Sequence, residues 1–183
     1  RPALRGVFVE CVERTVERFH LVAEVGTKVA DVVEQVEFTH ASGDVAAALR
    51  LIEVAISRLS TTQYDRPRAG LLLRAGEMLI DERKWNEALI RLNSSAVLYE
   101  SLGESSRHAA ADLLKVFTMA QLSAQGNQQG PAVTSQQYLS AIETHLSKFA
   151  DQPTASRAQL WLLRHVRATD PLRAAMIALS MMD

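Results

Sequence analysis

Residues 69–102 read AGLLLRAGEMLIDERKWNEALIRLNSSAVLYESL, and two helix-forming runs stand there on either side of four charged residues. Apolar residues recur with a helical period through 67–82, DERK makes a turn, and the pattern resumes over 84–101. Within it, WNEALIRL (85–92) has the shape of VAAALRLI (45–52), forty residues earlier. A unit that recurs at such an interval predicts an array of helical hairpins, because one hairpin alone leaves an apolar face wet.

Working outward, the second helices of successive pairs align on a small residue: Ala48, Ala88, Ala141 and Ala175. Three residues before each stand Val45, Trp85, Tyr138 and Leu172; one after stand Leu49, Leu89, Ile142 and Met176; four after stand Ile52, Leu92, His145 and Leu179. A small residue at a fixed place lets paired helices approach closely, while its large neighbours fill the gap to the next pair. Helices rich in Ala and Leu align readily at four sites, so the turns carry weight: SGD and DER precede the first two copies and ATD the last. The alanines lie 40, 53 and 34 residues apart, and the excess in the middle interval equals the length of SAQGNQQGPAVTS.

The rest of the chain reads the same way. Leu4, Phe8, Val12, Val16, Phe19, Val22, Val29, Val33 and Val36 keep a helical period. They predict one long helix over 3–41, kinked at Gly26, with two stacked helices as the alternative. Asp44 caps a helix to about Leu59; STTQYDRP is a polar connector; LGESS turns the chain into 106–124. A Gly- and Gln-rich loop over about 124–134 precedes helices at 134–149, 154–168 and 170–182. The expected fold is all-α, one domain over 1–183, with antiparallel hairpins stacked as an α-solenoid.

Composition agrees with an all-helical class, since Gly and Pro number only 8 and 5. With 20 basic and 21 acidic residues there is no basic excess, which argues against a general nucleic-acid binder. The lone cysteine, Cys11, sits among Val7, Phe8, Val12 and Val16 and reads as a packed, inert thiol. No stretch approaches the roughly 20 apolar residues of a membrane span. The chain opens Arg-Pro rather than Met, so it is read as part of a longer precursor, with the cytoplasm or a bacterial periplasm or envelope as its compartment.

On these residues the sequence resembles the tetratricopeptide-repeat superfamily. The match is best over 69–102, where Ala75 and Gly76 stand at the family's small-residue pair, Trp85 at its aromatic and Ala88 at its signature alanine. Residues 38–60 and 156–182 match more weakly, and HLSKFADQPTASRAQLWLL (145–163) looks like the segment joining repeats in bacterial envelope proteins of this superfamily. The chain departs from the pattern at Leu79, where an aromatic is usual, and at His145, which falls on an apolar site. The resemblance implies a right-handed superhelix whose first helices line a groove for partner peptides. Leu73, Glu77 and Ile80 in one unit and Arg157, Leu160, Arg164 and Arg167 in the last would face it. Guanidinium groups bind carboxylates bidentately, so the last set suits an acidic segment or a chain terminus.

No motif for chemistry stands out. None of His20, His40, His108, His145 and His165 has the spacing that puts two zinc ligands on one turn, and QGNQQGP lacks the strand and Lys of a phosphate loop. His145 reads as a helix-packing residue with one hydrogen bond; His40 and His165 read as solvated. The expected activity is therefore non-catalytic binding of a protein or peptide, as scaffold or adaptor, with no metal or cofactor. A ligand-sensing regulatory domain and a helical enzyme are the alternatives. The long N-terminal stripe packs on the array, on a second copy as a homodimer, or on another part of the parent protein.

Overall fold

Helix boundaries follow the caps and turns the sequence marks. A computed structural model of the chain describes residues 29–59, 64–125, 133–167 and 169–181, and all its regular elements are helices. They are α1 (29–41), α2 (Val45–Arg58), α3 (Asp65–Asp81), α4 (Trp85–Ser101), α5 (Ser105–Gln125), α6 (Ser135–Lys148), α7 (Thr154–Val166) and α8 (Pro171–Ser180). Expected and observed ends of α2 to α8 agree within about two residues, as far as cap definitions allow. Residues 3–28 of the expected N-terminal helix, with Gly26 and Cys11, lie outside the described residues, as do 126–132 of the Gly-rich loop.

Contacts group the chain into two compact units, Arg1–Arg58 and Leu59–Asp183, divided just before the polar connector. In the first, α1 and α2 are joined by Ser42, Gly43 and Asp44; Val36, Ala48, Ile52 and Ala55 are buried.

Three of the turns are one structure. After α1, α3 and α4 a residue with positive φ closes the helix: Gly43 at 89°, Arg83 at 58° and Gly103 at 69°. Its N–H returns to the carbonyl three residues back, and the next N–H to the carbonyl five back. At α3 these are Arg83 to Ile80 at 2.9 Å and Lys84 to Leu79 at 2.8 Å; at α4, Gly103 to Glu100 and Glu104 to Tyr99, both 3.0 Å. This pair of hydrogen bonds satisfies helix-end carbonyls. The residue after it already accepts the first bond of the following helix, as in Ala88 N–H to Lys84 O at 2.9 Å, so three residues suffice between helices.

In the second unit each helix packs on its chain neighbours, and α5 also touches α3 and α7, whereas α4 and α6 make no extensive contact. Apolar cores form in sequence along this row. Ala69, Ala96, Tyr99 and Ala111 bury together from α3, α4 and α5; Val116, Tyr138, Ile142, Leu162, Val166 and Ala174 bury together from α5 to α8. The two clusters share no residue. Trp85, Phe117 and Trp161 form an aromatic row from α4 through α5 to α7, with centroids 6.2 and 5.8 Å apart.

The four alanines do not hold equivalent places, although the second helices share a pattern of burial in another phase. The fourth residue of each second helix is buried: Ala48, Ala88, Tyr138 and Ala174. In α2, α4 and α6 the burial continues four, seven and eleven residues on, as Ile52, Ala55 and Leu59, then Leu92, Ser95 and Tyr99, then Ile142, His145 and Phe149. Caps set this phase. Asp44 and Asp170 accept from Ala47 and Arg173, and Thr134 forms a full capping box with Gln137. Alignment by alanine is three residues late in α6 and one late in α8. Ala141 is only half-buried and Ala175 is exposed, while Leu172, Met176 and Leu179 face outward rather than filling the stack.

Candidate functional site

The residues expected to bind a partner fall into two groups. On α7, Arg157, Leu160, Arg164 and the capping Arg167 follow one another at intervals of three, four and three, which makes one stripe about 15 Å long. All four are exposed, and the opposite face, Ala155, Ala158, Leu162 and Val166, is buried. No acidic residue occurs in α7. Elsewhere in the unit, the arginines of α3, α5 and α8 reach carboxylates: Arg66 and Arg107 at Glu104, Arg68 at Asp65, Arg74 at Glu77, Arg173 at Glu143. The α7 arginines make no such bridge among the described residues, so their charge is unspent.

Leu73, Glu77 and Ile80 on α3 are half-buried, with Glu77 engaged by Arg74 at 3.1 Å. Helix α5 packs against both α3 and α7, the helices that carry the two groups. The α3 group therefore offers an apolar shoulder with a neutralised charge, and the α7 group a free cationic edge.

Two depressions accompany these faces. An open groove of about 730 Å³ runs between α4 and α6, with α5 as its floor. Asn86 to Asn93 form one wall and Gln137 to Thr144 the other; Leu89, Ile90, Met119, Val133 and Ala141 give it an apolar surface. A smaller cleft of about 370 Å³ lies where α4 ends, α5 begins and α6 ends, lined by Tyr99, Glu100, His108, Lys148, Phe149 and Asp151. His108 stacks edge-on against Phe149 with centroids 4.9 Å apart. Burial first, then the Lys148 ammonium, lowers its pKa below the usual histidine value.

Sequence reasoning missed a buried polar centre between groove and core. His145 on α6 is fully buried; its Nδ1–H donates to Asp112 Oδ2 on α5 at 2.8 Å, and its Nε2 faces Thr154 Oγ1 on α7 at 3.1 Å. Asp112 also pairs with Lys115. Burial pushes the Asp112 carboxyl upward, but hydrogen bonds from His145 and Lys115 outweigh it and hold the pKa below the usual value. The expected single hydrogen bond of His145 is thus two, to two different helices. A signal was present: Asp112 is a lone acid inside the apolar run AAADLLKV. The other histidines are also less solvated than expected, since His165 is half-buried with its ring 5.1 Å from Tyr138 and His40 is half-buried.

The order carboxylate, imidazole, hydroxyl is that of a nucleophile relay. Here His145 is sealed, and Thr154 lines neither of the two depressions described above. The arrangement ties three helices together. Among the described residues no group of three His, Cys, Asp or Glu could hold a metal ion, and no helix is long and apolar enough to cross a membrane. No protein-family model, curated protein or solved structure matches the chain.

Proposed function

We propose that this chain is a tetratricopeptide-like stack of hairpins, coiled as a right-handed superhelix, that binds a protein or peptide without catalysis and serves as a scaffold or adaptor. The observation that carries this reading is the row of unpaired arginines on α7, with Leu160 among them. Cations without carboxylate partners on a rigid helix are preorganised for an acidic segment, which gains charge-assisted hydrogen bonds without first breaking internal ones. Leu160 offers the one apolar contact that sets register on such a segment. Binding in this form is steered by charge and weakens as salt rises.

The test is fluorescence anisotropy with a labelled peptide of alternating Glu and Leu, against wild type and against Arg157→Glu with Arg164→Glu. Wild type is expected to bind at low salt, and the variant to lose at least about tenfold, since each charge-assisted bond contributes about 1.5–3 kcal/mol. Equal binding by both proteins, or none by wild type, would remove the arginine face from the account. Affinity capture from the source cell, compared with Arg164→Glu plus Arg167→Glu, then identifies the natural partner.

A further inference from the structure

Two imidazoles flank the Phe149 ring, and only one of them is satisfied. The His145 ring lies 5.0 Å from it, centroid to centroid, and engages Asp112 and Thr154 through its two nitrogens. The His108 ring lies 4.9 Å from it, is only 7% exposed, and makes no hydrogen bond among the described residues. Buried polar side chains in folded proteins are hydrogen-bonded in the large majority, so one without a partner inside the fold points to a partner from outside it. His108 borders the cleft where α4 ends, α5 begins and α6 ends. Its neutral form, favoured by burial and by Lys148, donates from one nitrogen and accepts at the other.

The same cleft carries charge of both signs with bonding capacity left over. The Lys148 ammonium donates to Glu100 Oε1, and at 43% and 56% exposure neither side chain is closed off. An ammonium has three donors, so two remain. The second oxygen of Glu100 and the carboxylate of Asp151 engage nothing among the described residues. Tyr99 and Phe149 add an aromatic surface. A ligand of one sign matches this set poorly: an anion would sit against Glu100 and Asp151, and a cation against Lys148. A zwitterion answers both. Its carboxylate accepts from Lys148 and from the His108 N–H, its ammonium donates to Asp151 and to the free oxygen of Glu100, and an apolar side chain lies on Phe149. At about 370 Å³ the cleft stands near the lower end of small-molecule pockets, which suits a free amino acid rather than a folded partner.

We propose that this cleft binds a free α-amino acid with an apolar or aromatic side chain, held at its carboxylate by Lys148 and His108 and at its ammonium by Asp151 and Glu100. Charge-assisted hydrogen bonds at both ends make the pair of charges the main source of recognition, with the side chain adding contact to Phe149. The residues come from α4, α5, α6 and the turn after α6, so an occupant ties these elements together and stabilises the fold by linkage. The site shares no residue with the α7 arginines, so either reading can fail without the other.

Titration of the isotope-labelled chain with L-phenylalanine, L-leucine and L-methionine to millimolar concentration, followed by NMR, tests it. At least one of the three is expected to shift the signals of His108 and Lys148 saturably. Analogues of the tightest binder that lack its ammonium or its carboxylate, such as 3-phenylpropionate and phenethylamine for phenylalanine, should bind at least about tenfold more weakly. Lys148→Gln and Asp151→Asn, both at exposed positions, should each weaken binding by a similar factor. His108→Phe keeps a ring against Phe149, removes the N–H and should weaken it too, with circular dichroism checking the fold; if that variant does not fold, the two exposed ones decide. No saturable shift with any of the three amino acids overturns the proposal and leaves water as the partner of His108. An analogue of single charge that binds as tightly as the amino acid overturns it as well. So does affinity unchanged in both Lys148→Gln and Asp151→Asn, which would put the ligand elsewhere on the molecule.

Discussion

Helices α3, α4 and α5 and helices α5, α6 and α7 are two runs of three that share a member, yet different chemistry seals them. The first run is closed by size and turn geometry. Gly76 on α3 lets Leu92 of α4 come so near that a Cβ there would lie 2.6 Å from its Cδ2, and Ser95 donates to the Ala69 carbonyl at 2.8 Å inside the same seam. The second run is closed by polarity, through Asp112, His145 and Thr154. Small residues and tight turns act locally and leave a periodic trace in the sequence. A hydrogen bond between residues 33 apart leaves none.

That difference predicts different sensitivities. The largest belongs to His145. His145→Ala empties a buried site and leaves Lys115 as the remaining partner of the Asp112 carboxylate, which should cost about 3–5 kcal/mol, read as the shift in urea unfolding free energy. Replacing both partners, Asp112→Leu with His145→Leu, leaves neither polar group short of the other and should cost far less than the two single changes summed. Additive costs would mean that the pair is not coupled and that the second run is held by its apolar cluster alone.

Next in size is Gly76→Ala in the first run. Alanine is the better helix former by about 1 kcal/mol, so an exposed site would gain. Here the new methyl meets the side chain of a fully buried Leu92, and overpacking of this kind costs about 1–3 kcal/mol. A net loss is expected in thermal or urea unfolding. A gain would show that the α3–α4 seam has room and that Gly76 is there for another reason.

These two cases also mark how far the sequence could be read. Ala75, Gly76, Trp85 and Ala88 made the first run legible, because spacing and turn residues sit within one short stretch. In α6 and α8 the phase came out wrong, since residue type was followed where the caps Thr134 and Asp170 decide. A tyrosine occupies the place an alanine holds in α4, so composition alone misleads there. The α7 stripe was legible by spacing, and its unpaired state was not, because pairing depends on what neighbouring helices bring. The groove was invisible for the same reason: it exists where α4 and α6 fail to meet.

A smaller effect depends on pH, through two residues of the shared helix α5. Asp112 has a lowered pKa in the fold, so its stabilisation is complete above its ordinary value of 3.8 and is lost as pH falls through the folded value. His108 is also lowered, by burial and then by Lys148, so its neutral form is favoured in the fold. Its share is complete above 6.5 and declines as pH falls from there. Each proton contributes a slope of at most about 1.4 kcal/mol per pH unit. Melting temperature should fall below pH 6.5 and again below pH 3.8. His108→Gln should flatten the first decline and Asp112→Asn the second. A decline below pH 6.5 that survives His108→Gln would assign it to another histidine.

The smallest effect tests the turn the first run shares with the α1–α2 hairpin. Gly43 and Gly103 occupy their positive-φ positions without strain, whereas Arg83, in the same hydrogen-bonded turn, carries a Cβ into the left-handed region. An L-residue there costs about 1–2 kcal/mol, partly offset because glycine loses more backbone entropy on folding. Arg83→Gly should therefore stabilise by about 0.5–1 kcal/mol, and Gly103→Ala should destabilise by a similar amount or slightly more. The Arg83 side chain is exposed, so little packing goes with it. Opposite signs for the two substitutions would establish that one turn, rather than three separate sequences, sets how a helix in this chain hands over to the next; like signs would mean that Arg83 is held by contacts the turn alone does not require.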